Sequence, residues 1–152
     1  LPILLQPVLM ALLSPVTGAL SDRINPAVLA SSGMILITFG LSCLAINVSL
    51  SSFWLIALAL VIIGIGFALF TAPNNNAIMG SVAPKYYGAA SSVVSTVRLI
   101  GQVLSVAIIT LILSQSGAAA TSTWLAQHIQ QAFIVFTVLC AIGIIPSAAR
   151  SK

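Results

Sequence analysis

Charge is what this sequence has least of. Its 152 residues include one acid, one histidine and five Lys or Arg. Charged residues make up 4% of the chain, against about 25% in soluble domains, which need them to hydrate a surface. A single carboxylate (Asp22) and a single imidazole (His128) exclude paired acid–base carboxylates, a nucleophile–base triad and a metal cage, so no enzyme, catalytic residue, cofactor or metal site is expected. The five cations are Arg23, Lys85, Arg98, Arg150 and Lys152. They form no basic patch of the kind that binds nucleic acid. The two cysteines, Cys43 and Cys140, each lie inside an apolar run and read as small hydrophobes. The chain opens at Leu1 inside an apolar segment with no charged leader, as expected of a piece of a longer protein.

What is abundant is apolar surface. Hydrophobic residues make up 60% of the chain and mean hydropathy is +1.22. Five apolar stretches stand out, at about 1–20, 27–46, 53–71, 88–113 and 129–145. Each is near the roughly 20 residues that cross a hydrocarbon core. The expected fold is therefore an all-α membrane protein of about five spanning helices, with the lipid bilayer as its main partner.

The joints follow local rules. Asn25 before Pro26 is a helix start, an N-cap followed by proline at the first helical position. Pro7 and Pro15 interrupt the first stretch, and 47–52 forms a short polar hairpin. Pro73, followed by Asn74, Asn75 and Asn76, is expected to break or kink the third helix. The amides would cap freed backbone groups or touch a polar substrate. Residues 115–127 read as the longest loop, and Asn47-Val48-Ser49 is a weak match to a glycosylation acceptor. Lys and Arg fall in alternate connections, at Arg23, Lys85 and Arg150 with Lys152. By the positive-inside rule these face the cytoplasm. Trp54 and Trp124 then mark the outer interface, and Tyr86 and Tyr87 the inner one.

The sharpest pattern lies on the fourth stretch. Ser91, Ser95, Arg98, Gln102 and Ser105 recur at spacings that share one helix face. Val93, Val97, Ile100, Leu104, Ile108 and Leu111 are expected opposite them, toward lipid. Arg98 lies roughly 15 Å into its helix at 1.5 Å per residue. A charge at that depth costs about 2.5 kcal/mol or more and marks a functional face, here a substrate cavity or gate. Serines alone point rather to helix packing, where small residues let backbones approach. A third constellation ends the first helix: Gly18, Leu20, Ser21, Asp22 and Arg23.

That last run, Gly18-Ala19-Leu20-Ser21-Asp22-Arg23, resembles the cytoplasmic-loop signature of the major facilitator superfamily. Asn25 stands where the signature has its later glycine, and Pro26 and Ala27 replace its trailing bases. Gly64-Ile65-Gly66-Phe67, Pro73-Asn74-Asn75, Gly88-Ala89-Ala90-Ser91 and Arg98-Leu99-Ile100-Gly101-Gln102 resemble the fourteen-helix drug:proton antiporter branch, the EmrB/QacA-like multidrug exporters. This resemblance covers essentially the whole chain. It implies the last five helices of such a transporter, forming most of its C-terminal six-helix bundle. It also implies proton-coupled export of drug-like amphipathic molecules by alternating access, with an N-terminal bundle as partner. In that family the proton-coupling carboxylates lie largely in the N-terminal half, so no proton site is carried over to this chain. The alternative is a small membrane-embedded interaction or assembly subunit that transports nothing by itself.

Overall fold

A computed structural model describes residues 5–21, 24–48, 52–114 and 122–149. They form five helices: α1 (Leu5–Ser21), α2 (Pro26–Asn47), α3 (Phe53–Gly80), α4 (Tyr87–Leu113) and α5 (Ser122–Ala149). A single 3₁₀ turn, Pro84–Tyr86, leads into α4. Four of the helices, α2 to α5, contain stretches long and apolar enough to cross a membrane, and α1 contributes the shorter apolar helix Pro7–Leu20. The α2 start is as its sequence implies: Asn25 Oδ1 accepts the Ala27 N–H at 3.0 Å, and Pro26 opens the helix.

Two boundaries differ from expectation. α3 does not break at Pro73 but continues as α-helix through Asn74, Asn75 and Asn76 to Gly80. Proline in a helix removes one N–H and crowds the preceding turn, at a cost of about 3 kcal/mol in water. In a membrane protein, packing and neighbouring groups absorb such a defect. Pro73 is fully buried, so its ring is enclosed by packing. α1 and α5 likewise run through Pro15 and Pro146. The second difference is α5, which begins at Ser122, so much of the expected 115–127 loop is helical. There Trp124 and His128, one turn apart, stack at 3.9 Å, and His128 Nδ1–H donates to the Trp124 carbonyl at 2.9 Å.

α3 is the central element, packed against α2 on one side and α1 on the other, and α2 in turn packs against α5. The buried apolar residues that form the core are Leu29, Ala30, Ile37 and Ala45 of α2 and Ala59, Ile63 and Ala68 of α3. Small residues decide how near these two helices come. A Cβ on Gly33 would lie 2.6 Å from the Gly66 carbonyl oxygen and 2.7 Å from the Phe70 nitrogen. A Cβ on Gly66 would lie 2.8 Å from the Gly33 oxygen. Backbone thus meets backbone, the close approach that small residues permit in membrane helices.

Few side-chain hydrogen bonds tie one helix to another. The buried Thr17 hydroxyl of α1 is directed at the Ala68 carbonyl of α3 at 3.0 Å and at the Ser14 carbonyl at 3.1 Å. Ser31 of α2 and Ser147 of α5 meet hydroxyl to hydroxyl at 3.0 Å. Asn47 closes the α2–α3 connection: its Nδ2 donates to the Ser52 carbonyl and its Oδ1 accepts the Ser52 N–H, at 3.0 and 3.2 Å. Asn47 is 2% exposed. Its amide is enclosed and already engaged, which removes it as a glycosylation acceptor.

α4 stands apart. It contains no buried residue, and large apolar side chains such as Val103, Val106 and Leu111 are more than half exposed.

The glycine crossing yields a stability prediction. Gly33→Ala forces backbone apart at the α2–α3 contact, and overpacking of this kind costs about 1–3 kcal/mol. Gly88→Ala, where a Cβ meets nothing within 4 Å, is expected to be neutral or slightly stabilising. Thermal unfolding of the detergent-purified protein should show the lower midpoint only for Gly33→Ala. Equal midpoints would refute the backbone contact.

Candidate functional site

Between α3 and the loosely packed α4 lies a cavity of about 1430 Å³. Pockets for drug-sized molecules run to about 300–1,000 Å³, so this one accommodates such a molecule. Its polar lining comes from Asn74 and Asn75 on α3 and from Arg98, Gln102 and Ser105 on α4. Phe67, Phe70, Val93 and Val97 supply apolar wall, and Tyr86 lies along it where the 3₁₀ turn enters α4. Lys85 sits beside that end, its Nζ 5.8 Å from the Tyr86 ring centroid, within cation–π range.

The continuity of α3 builds this wall. Phe67, Thr71, Asn74 and Ile78 all line the cavity, at spacings of one helix face of α3. With a break at Pro73 that stripe would end at Thr71. The signal was present in the sequence, but it is readable only along an unbroken helix. Pro73 itself is on the buried side and does not line the cavity, and Asn76 is exposed and also lies off it.

The polar face expected on α4 divides in two. Arg98, Gln102 and Ser105 reach the cavity, whereas Ser91 and Ser95 are exposed and do not line it. Val93 and Val97, expected to face lipid, line the cavity instead. Local hydrogen bonding lets hydroxyls stand on either side of that division. Ser95 Oγ donates to the Ser91 carbonyl at 2.9 Å, and Ser105 Oγ to the Gly101 carbonyl at 2.8 Å. Thr96 and Thr110 do likewise toward Ser92 and Val106. A hydroxyl bonded to its own helix needs no further polar neighbour and tolerates an apolar environment. A guanidinium or a primary amide carries more donors than its own helix can satisfy. Arg98 and Gln102 are therefore the residues that require a polar cavity, and they have one.

Arg98 follows Tyr87, the first residue of α4, by about 16 Å along the helix axis. It makes no hydrogen bond or ion pair with the described residues, and its side chain is exposed to the cavity. No cluster of three potential metal ligands occurs among the described residues.

The Gly18, Leu20, Ser21, Asp22, Arg23 run ends α1. Gly18 is half-buried and Leu20 is exposed. Ser21 is the last residue of α1, and Asp22 and Arg23 lie outside the described residues.

Comparison with known proteins agrees with this architecture. The family profile described as Major Facilitator Superfamily matches residues 2–150. An uncharacterized transporter of Escherichia coli, YebQ, is 28% identical over 96% of this chain and 31% of its own length. The riboflavin transporter RibZ of Clostridioides difficile is 29% identical over 92% of this chain and 32% of its own length. The chain thus spans about a third of the length of the curated relatives it matches. No solved structure matches it significantly.

The division of the α4 face is open to chemical labelling. In a variant with Cys43 and Cys140 replaced by serine, single cysteines at Val97 and Gln102 should react readily with a water-soluble thiol reagent. Cysteines at Val103 and Leu111 should react at least about tenfold more slowly, because thiolate forms poorly in an apolar environment. Comparable rates at all four positions would place the cavity wall elsewhere.

Proposed function

Because this chain belongs to the Major Facilitator Superfamily, we propose that it is part of a secondary active transporter whose α3–α4 cavity carries a small amphipathic molecule across the cell membrane by alternating access. The observation that supports this most directly is the union of Arg98, Gln102, Asn74 and Asn75 at one cavity with an apolar wall. An intramembrane charge is retained where it serves a pathway. In transporters of this kind substrate sites lie near the bilayer midplane between structural repeats. A riboflavin transporter among the relatives supports a small organic cargo.

In this reading the chain is most of the C-terminal bundle, and an N-terminal bundle is its partner across the cavity. Export is coupled to protons, with the coupling carboxylates on that other bundle. The connection holding Asp22 and Arg23, the Lys85 turn and the C-terminus face the cytoplasm, because the connecting segments with Lys and Arg are these.

The transport reading is tested in proteoliposomes holding the full-length transporter. A fluorescent amphipathic dye should move only when a proton gradient is imposed. Arg98→Leu should insert normally and lower the rate at least about tenfold, as loss of a charged hydrogen-bonding group would. Dye movement indifferent to the gradient would remove proton coupling, and unchanged movement by Arg98→Leu would remove the cavity as the path.

Orientation is tested separately in intact cells. A cysteine at Gly117 should be modified by an impermeant reagent added outside, and one at Lys85 should be protected. The opposite pattern would reverse the topology.

A further inference from the structure

Reading the α3–α4 cavity as the substrate path leaves open what charge the substrate carries, and the lining residues bear on that. We infer that the cavity selects amphipathic molecules whose polar end is anionic, a carboxylate or a group of like charge, with Arg98 as its counter-charge.

Among the described residues, Arg98 is the only one lining the cavity that is charged at neutral pH. The chain's single acid, Asp22, follows α1 in the sequence and lies outside the described residues. Arg98 makes no hydrogen bond or ion pair with the described residues. A guanidinium carries five N–H donors in a planar fork that matches a carboxylate bidentately. Such charge-assisted pairs are roughly twice as strong as neutral hydrogen bonds, and they gain further where water is scarce.

The surroundings point the same way. Gln102 lies one helical turn beyond Arg98, and Asn75 lines the same cavity from α3; both carry amide N–H₂ donors. The second cation, Lys85, sits beside Tyr86 at one end of the lining. Among the described residues, two positive charges and no negative one therefore act along the path formed by this chain. Fields of one sign in a low-dielectric cleft concentrate ligands of the opposite sign. Phe67, Phe70, Val93 and Val97 leave room for an apolar body beside that polar end. A cationic amphiphile would meet the same apolar wall and be repelled by Arg98.

The test uses the full-length transporter in phosphatidylcholine liposomes and three matched probes: a dansyl alkyl carboxylate, its primary amide and its trimethylammonium analogue. Binding is read as energy transfer from tryptophan to dansyl, and movement across the bilayer is read separately. The carboxylate should bind at least about tenfold more tightly than the amide, the gain expected of a charge-assisted pair, and the ammonium should bind most weakly. Arg98→Gln should bring the carboxylate to the amide's affinity and leave the amide within about twofold, while Arg98→Lys keeps much of the preference. Equal binding of carboxylate and amide by the unmodified protein would overturn the inference; it is the result expected if an acid on another helix already neutralises Arg98. So would an Arg98→Gln variant that weakens both probes alike. Because the comparison of probes on unmodified protein needs no variant, a misfolded Arg98→Gln does not blur the result. Selective binding without movement would support the anion site and sink the transport reading, whereas movement of all three probes at equal affinity would do the reverse.

Discussion

Two backbones touch where Gly33 meets Gly66, and the position of everything else depends on that contact. A side chain at either residue would hold α2 and α3 apart. Without one, the helices close directly over Ala30, Ile37, Ala59 and Ile63. Lipid supplies no hydrophobic force between helices, so close packing and a few hydrogen bonds must hold them. The Thr17–Ala68 and Ser31–Ser147 bonds add α1 and α5 to this pair. With α3 fixed at the centre, its remaining face is left free, and that face is the cavity wall.

The contrast between α4 and the rest follows. α1, α2, α3 and α5 form a packed unit, and α4 touches it only sparsely, at α3 and α5. A cavity exists because α4 does not close onto α3. Bulky Val93 and Val97, together with Arg98 and Gln102, stand on the α4 side of that gap. Phe67 and Phe70 stand on the other. The same arrangement that leaves α4 loosely held thus leaves the cavity open.

Much of this architecture was legible in the sequence, because much of it is local. Five apolar stretches were evident, as was the α2 start, where Asn25 and Pro26 act within one turn. Arg98 with Gln102 was legible because a charge in an apolar helix has few permissible surroundings. What was not legible depended on tertiary contact. Pro73 breaks helices in water, but here packing encloses it and α3 runs on. Ser91 and Ser95 share the spacing of Arg98, yet spacing along one helix does not say where the neighbouring helix leaves a gap. Val97 carried no mark of its place on the cavity wall, since valine suits an apolar cavity and lipid equally. The Gly33–Gly66 crossing joins residues far apart in sequence and has no local sign beyond the glycines themselves.

The length of α3 has a consequence for the bilayer around it. Its 28 residues reach about 42 Å at 1.5 Å each, against a hydrocarbon thickness of about 30 Å. The uninterrupted apolar part, 53–71, spans about 28 Å by the same rise and matches that thickness; the asparagines come immediately after it. Hydrophobic mismatch therefore falls on Asn74 and Asn75, which also line the cavity. A thicker membrane draws those amides toward the acyl chains unless the helix stands more upright, and a thinner one tilts it. The length of α3 and the polar lining of the cavity thus meet at the same two side chains.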